Sequence, residues 1–325
     1  MYRKIMGFLE AWKESGHRKP LILQGARQVG KTYSILEFGR THYENVAYFN
    51  FETDPRLSQT FAEDISPGYL IPILSHIAGQ TIVKEKTLIV FDEVQLCERA
   101  LTSLKYFCED APDYHIIVAG SLLGVAVNRA KFSFPVGKVD MKTLYPMDME
   151  EFMLALGEAD LVERIKKSFQ TDTPLPSALH DAAMQLYRQY LVVGGMPECV
   201  MQFAQTRDYI LIRHIQDTIL ASYLNDMSKY NSLNEIKKTR LAYDNITVQL
   251  SKKNTRFQYK LIKKGGRASE FENAIEWLCL SGIVSRVYKV ERIRKPLENY
   301  RDIDAFKIYV SDLGLLCAKK DLAAN

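Results

Sequence analysis

The sequence predicts an α/β fold with a parallel sheet at its core, then a helical region, then a smaller α+β segment. Three observations lead there. Short, continuous apolar runs rich in β-formers recur through the first half, with helical or loop segments between them. That is the pattern of strands covered on both faces. After Pro146 the apolar residues change to helical spacing, and near the end strand-like runs return around a polar loop.

The expected strands are PLILQG (20–25), NVAYFNF (45–51), TLIVFDE (87–93), YHIIVAGS (114–121) and VDMKTLYP (139–146). MDMEEFMLALGEADLVERIKKSF reads as helix, TDTPLPSALH as a proline-marked connector, and DAAMQLYRQYLVVGG as helix stopped by Gly194 and Gly195. From Asn231 onward, SLNEIKKTRLAYDNITVQLSK, FQYKLIKK and SEFENAIEWLCLSG are read as three helices. The last carries Ser269 and Glu272 at capping-box spacing and Gly282 as its stop. IVSRVYKVERI and FKIYVSD then form a hairpin, so the order is that of a winged helix. The expected plan is a core over 1–148, a helical lid over 149–228 and a winged-helix-like segment over 229–325.

Composition limits the function classes. The chain has 325 residues, 47% hydrophobic and 25% charged, which suits a globular protein of two or three domains. Its five cysteines, an odd number without close pairs, argue for reduced thiols rather than a disulfide framework. The six histidines lack metal-ligand spacing. Charges interrupt the N-terminus too often for a secretory signal, and no run approaches the roughly 18 apolar residues that cross a membrane. A cytoplasmic protein without a membrane partner is expected. The net charge of +4 is uneven: 229–267 holds 11 Lys and Arg against only Glu235 and Asp244.

The chemistry is carried by GARQVGKT, which satisfies G-x-x-x-x-G-K-[ST] from Gly25 to Thr32. Gly25 and Gly30 let the backbone of Ala26, Arg27, Gln28 and Val29 wrap around phosphate, and the helix opening at Lys31 turns its positive end to the same anion. Lys31 reaches the β- and γ-phosphates, the Thr32 hydroxyl ligates Mg²⁺, and Tyr33 follows at the edge of the loop. The expected ligands are therefore ATP and Mg²⁺. LIVFDE sets Asp92 and Glu93 at the end of an apolar strand, where open parallel sheets bind ligands. Asp92 is the candidate for the metal shell and Glu93 for the base that activates water. A solvated turn is the bland alternative for that pair. Ser121, at the end of the neighbouring strand, is either a γ-phosphate sensor or an ordinary helix N-cap.

In order and spacing, GARQVGKT, LIVFDEVQ, IIVAGS and LYPMDMEEF resemble the bacterial and archaeal AAA-family ATPases that carry a C-terminal DUF4143 domain. GGMPECV (194–200) and FKIYVSDLGLL (306–316) resemble the early part of that second domain. The resemblance implies a P-loop NTPase core of AAA+ type, a helical lid, a winged-helix-like segment, and then a domain similar to restriction-endonuclease folds, of which most is missing here. Family members commonly show Gly-Arg before the last core strand, where this chain has Gly137-Lys138. Arg129 is the other candidate for an arginine acting across a homo-oligomer. The basic stretch 229–267, interleaved with Tyr243, Phe257 and Tyr259, reads either as a nucleic-acid contact or as a solvated face. SEFENAIEWLCLSG is too acidic to read a major groove. Two functions of different class stand: an ATPase coupling hydrolysis to conformational change, and a DNA-binding or interaction module using ATP as a structural switch.

Overall fold

A computed structural model of the chain describes residues 1–120, 135–229, 233–253 and 256–320. It divides into two compact units, Tyr2–Tyr145 and Pro146–Asn325.

The first unit runs α1 (Ile5–Glu14), β1 (Leu21–Gln24), α2 (Lys31–His42), β2 (Asn45–Asn50), α3 (Pro55–Glu63), α4 (Pro67–Ala78), β3 (Thr87–Asp92), α5 (Glu98–Asp110), β4 (His115–Ala119) and β5 (Asp140–Thr143). The five strands form one sheet in the order β2-β3-β4-β1-β5, with every pairing parallel. β3 and β4 are buried at every residue, which is why their sequences are apolar without alternation. β5 is a half-exposed edge. On one face Phe49, Phe51, Phe61 and Phe91 meet mostly edge to face, with ring centroids 5.5–6.0 Å apart. Leu57, Leu70, Leu74 and Leu104 close the same core. Because β1 lies between β4 and β5 while the chain crosses to opposite sides, its carboxyl end opens on the crevice where such sheets bind ligands.

The second unit begins with α6 (Met149–Ala155), α7 (Ala159–Gln170), α8 (Ser177–Val193), α9 (Pro197–Thr206), α10 (Tyr209–Lys229) and α11 (Leu233–Leu250). α12 (Ala268–Leu280), the antiparallel pair β6 (Val284–Val290) and β7 (Arg301–Val310), and α13 (Leu313–Lys319) complete it. The expected helix over 147–169 is two helices, broken where Gly157 takes φ +88°. α8 ends at Gly194 as its glycines predict.

Two local expectations are overturned. FQYKLIKK is no helix but a single 3₁₀ turn at Tyr259–Leu261. Tertiary partners take its backbone first: Phe257 N donates to Phe306 O (2.8 Å), Gln258 N to the Gln249 side chain (2.7 Å), and Asn245 Nδ2 donates to Leu261 O (2.8 Å). Nor do Ser269 and Glu272 form a capping box. α12 starts at Ala268 after Arg267, which makes no side-chain cap, and Glu272 instead accepts from the Tyr259 hydroxyl and from Arg286. The reciprocal box is at Asp148 and Glu151, ahead of α6 (2.9 and 3.2 Å).

Candidate phosphate-binding site

The loop between β1 and α2 is fixed by conformations that its sequence permits. Gly25 has φ +150° and Gly30 φ +89°, both in the region open to glycine, and Gln28 also takes a positive φ, +66°. A Cβ at Gly25 would overlap the Leu144 carbonyl oxygen, so this glycine also admits the chain leaving β5. Leu144 N donates to Gln24 O (2.8 Å) and Gln24 Nε2 to Thr143 Oγ1 (3.1 Å), tying the two strand ends together. Arg3 supports the loop from behind. It is 4% exposed, and its guanidinium donates to Val29 O (2.9 Å) and Tyr145 O (2.8 Å). Those bonds offset the cost of burying its charge.

Lys31 opens α2 and folds back over the loop, its Nζ 2.9 Å from Gly25 O and 2.8 Å from Ala26 O. Burial pulls its pKa down to about 8, opposed by the Glu93 and Asp92 carboxylates. Thr32 Oγ1 donates to Asp92 Oδ2 at 2.8 Å, joining the first turn of α2 to the end of β3. Asp92 is 5% exposed, and its other oxygen accepts from Glu93 N (3.0 Å). Glu93 itself takes a left-handed conformation, φ +51°, uncommon for a residue with a side chain and typical of functional positions. Its carboxylate accepts from Gln95 Nε2, and burial raises its pKa. Gln95 Oε1 is buried without a partner.

Lys31, Thr32, Asp92 and Glu93 thus meet at the carboxyl end of β1 and β3, with Gly25, Ala26, Arg27, Gln28, Val29 and Gly30 wrapping beneath them. Tyr33, in the first turn of α2, is exposed. Ser121 and Arg129 lie outside the described residues. Lys138 pairs with Glu109 at 2.8 Å. Sequence reasoning missed Arg3, Tyr48, Asn50 and Gln95. Tyr48 and Asn50 share a strand face by simple alternation, but only the pairing of Asn50 with Asp92 brings that face to the site. Nothing in the sequence marks Arg3.

The donor set fits Mg²⁺. Thr32 and Asp92 offer a hydroxyl and a carboxylate, the hard oxygen ligands that this ion takes together with phosphate oxygens. Among the described residues no group of three or more His, Cys, Asp or Glu side chains could hold a metal by itself.

Residues 17–153 match the family model of the AAA domain, and residues 184–325 match a domain of unknown function, DUF8612. The family model found over the second region is therefore not the DUF4143 that the sequence resembles. Among solved structures, the chain is similar to the Walker-type ATPase PABY2304 of Pyrococcus abyssi. That match has a TM-score of 0.59 at 13% identity and covers 98% of this chain and 95% of the other. The ORC2 protein of Aeropyrum pernix gives 0.46 at 12% identity, covering 98% and 94%. No curated protein matches the chain. At this identity the Pyrococcus match shows a shared fold. With the family model and the loop geometry, the first unit has the P-loop NTPase fold and, over residues 17–153, is similar to AAA-type ATPase domains. Among the described residues no helix is long and apolar enough to cross a membrane.

Proposed function

We propose that the chain binds Mg-ATP at the β1–α2 loop, hydrolyses it, and couples turnover to conformational change. One observation supports this above the rest: the 2.8 Å bond between Thr32 and Asp92, which lies beside Lys31 and Glu93. The first backbone N–H groups of α2 have no partner within the helix and suit phosphate oxygens. Lys31 exchanges its two loop carbonyls for phosphate. Thr32 and Asp92 would hold Mg²⁺, which when bound neutralises charge on the β- and γ-phosphates. Glu93 accepts a proton from water as the water oxygen bonds to the γ-phosphorus. The bond to the bridging oxygen breaks, leaving ADP and inorganic phosphate. Burial, which raises the affinity of Glu93 for protons, favours that role. Asp92→Asn is expected to weaken Mg-dependent nucleotide binding as well as turnover. Unchanged binding by calorimetry with Mg²⁺ present would remove Asp92 from the metal shell.

The finer parts of the reading are a homo-oligomer, with Arg129 acting from a neighbouring copy and Ser121 sensing the γ-phosphate, and a nucleic-acid contact through 229–267. Lys252, Lys253, Arg256, Lys260, Lys263, Lys264 and Arg267 are exposed there, and α11, α12 and the β6–β7 hairpin suit a winged-helix-like module. Some of that charge is neutralised locally, as in Lys263–Glu270 (3.4 Å) and Lys238–Glu235 (3.1 Å). Binding to duplex DNA should weaken with salt at a slope of roughly −0.9 per phosphate neutralised. Replacing Lys252, Lys253 and Arg256 with alanine should flatten it. No affinity at low salt would leave a solvated face.

A further inference from the structure

Asp92 is gripped from a second side, by groups that the ATP reading above does not use. Tyr48, on β2, donates its hydroxyl to Asp92 Oδ2 at 2.8 Å, the same oxygen that accepts from Thr32. The reach follows from register. Asn50 pairs with Asp92 across the parallel β2–β3 ladder, and Tyr48 stands two residues earlier on the same face. From that diagonal position a long aromatic side chain can touch its neighbour. Asn50 in turn donates Nδ2 to the Tyr48 hydroxyl (3.3 Å), while its Oδ1 accepts from Glu52 N (2.8 Å) and Thr53 N (3.2 Å).

These bonds run in one direction. Two backbone N–H groups fix which end of the Asn50 amide is oxygen, so its NH₂ faces the phenol. The phenol oxygen accepts there and sends its own proton to Asp92. A phenol keeps its proton in the neutral range, so the hydroxyl serves there as a donor. With Asp92 Oδ2 held in place, the Thr32 hydroxyl points its proton at the carboxylate and its lone pairs away from it, the orientation that a hydroxyl ligand of a cation needs.

We propose that Tyr48, locked by Asn50, is a positioning residue that sets how tightly Mg²⁺ is held with the nucleotide at Thr32 and Asp92. The proposal rests on the Mg-ATP reading, and the test separates the two. ATP binding is measured by calorimetry in EDTA and across a Mg²⁺ titration, for the wild type and Tyr48→Phe. Removing an outer partner of a metal ligand commonly costs 10- to 100-fold in metal affinity. Tyr48→Phe should therefore need roughly tenfold more Mg²⁺ for half-maximal enhancement of ATP binding, with binding in EDTA and the ligand-free melting temperature unchanged. Asn50→Asp keeps Tyr48 but offers its hydroxyl a competing carboxylate. It should shift the Mg²⁺ requirement in the same direction and add little on top of Tyr48→Phe. A wild-type Mg²⁺ curve for Tyr48→Phe, or an equal loss of binding in EDTA, overturns the role of Tyr48. A wild type whose ATP binding ignores Mg²⁺ overturns the underlying Mg-ATP reading instead.

Discussion

Two glycine turns, one in each unit, close on opposite charges. The 25–30 loop holds a cation, with Lys31 Nζ on the carbonyls of Gly25 and Ala26. The 194–195 turn holds an anion. Gly195 N donates to Asp312 Oδ2 at 2.6 Å, and Leu315 N, in the first turn of α13, donates to the other oxygen at 2.8 Å. A Cβ at Gly194 would collide with the Asp312 carboxylate, and one at Gly195 with the Met147 carbonyl oxygen. The second turn is thus completed by the chain's own carboxylate and serves packing. The first holds an ammonium at the start of a helix, and in the function proposed above the matching anion comes from outside. A glycine pair does not by itself distinguish a binding loop from a structural knot. The charge it encloses does.

Four expected outcomes test that contrast. The largest effect is at the carboxylate proposed as the base in the first unit: Glu93→Gln should hydrolyse ATP at least about a hundredfold more slowly while binding it as tightly as wild type. Near-normal turnover under saturating ATP would move the base elsewhere. If bound ATP drives assembly, this variant should also accumulate as the oligomer in light scattering.

Next comes the enclosed cation. At about 100 times its dissociation constant, Mg-ATP should stabilise the wild type by roughly 2.7 kcal/mol. Lys31→Ala should lose most of this shift in thermal unfolding, and an unchanged response would break the contrast at its first turn.

The enclosed anion should matter to stability alone. In Asp312→Asn one of the two N–H donors faces an amide NH₂, a loss of about 1–3 kcal/mol in the second unit. Denaturant unfolding at neutral pH measures it, and a neutral result would mean that the turn holds without its anion.

The smallest effect is its pH dependence. Burial raises the Asp312 pKa from 3.8 to about 6, so the native state binds the proton more tightly than the unfolded chain. That contribution is fully present below about 4 and is lost as pH rises through about 6. Neighbouring Tyr190, Tyr223 and Cys199 are pushed upward by burial and stay neutral in this window. Unfolding midpoints should fall between about pH 4 and pH 6 in the wild type and fall less in Asp312→Asn.

Legibility in the sequence followed the range of the interaction. The glycine-loop motif and the Asp92-Glu93 pair are each short strings of consecutive residues, so they were readable as candidates once the apolar strands before them were read. The strands themselves were readable because burial on both faces demands unbroken apolar runs. GGMPECV and FKIYVSDLGLL were legible as a helix stop, a hairpin strand and family-like strings, but not as partners. Their meeting through Gly195 and Asp312 spans 117 residues and carries no local pattern. The Tyr259–Leu261 turn shows the reverse failure, a helical pattern overruled because Phe306, Gln249 and Asn245 bind its backbone first.

By itself, then, the sequence determined an α/β core, a glycine loop opening a helix, and two carboxylates at a strand end, since each depends on neighbours in the chain. Tertiary structure alone decided that Arg3 braces the loop at Val29 and Tyr145, that Tyr48 grips Asp92, and that Asp312 fills the 194–195 turn. Each of these is a hydrogen bond between segments distant in sequence. Its partners meet only through the tertiary fold, which no local spacing encodes.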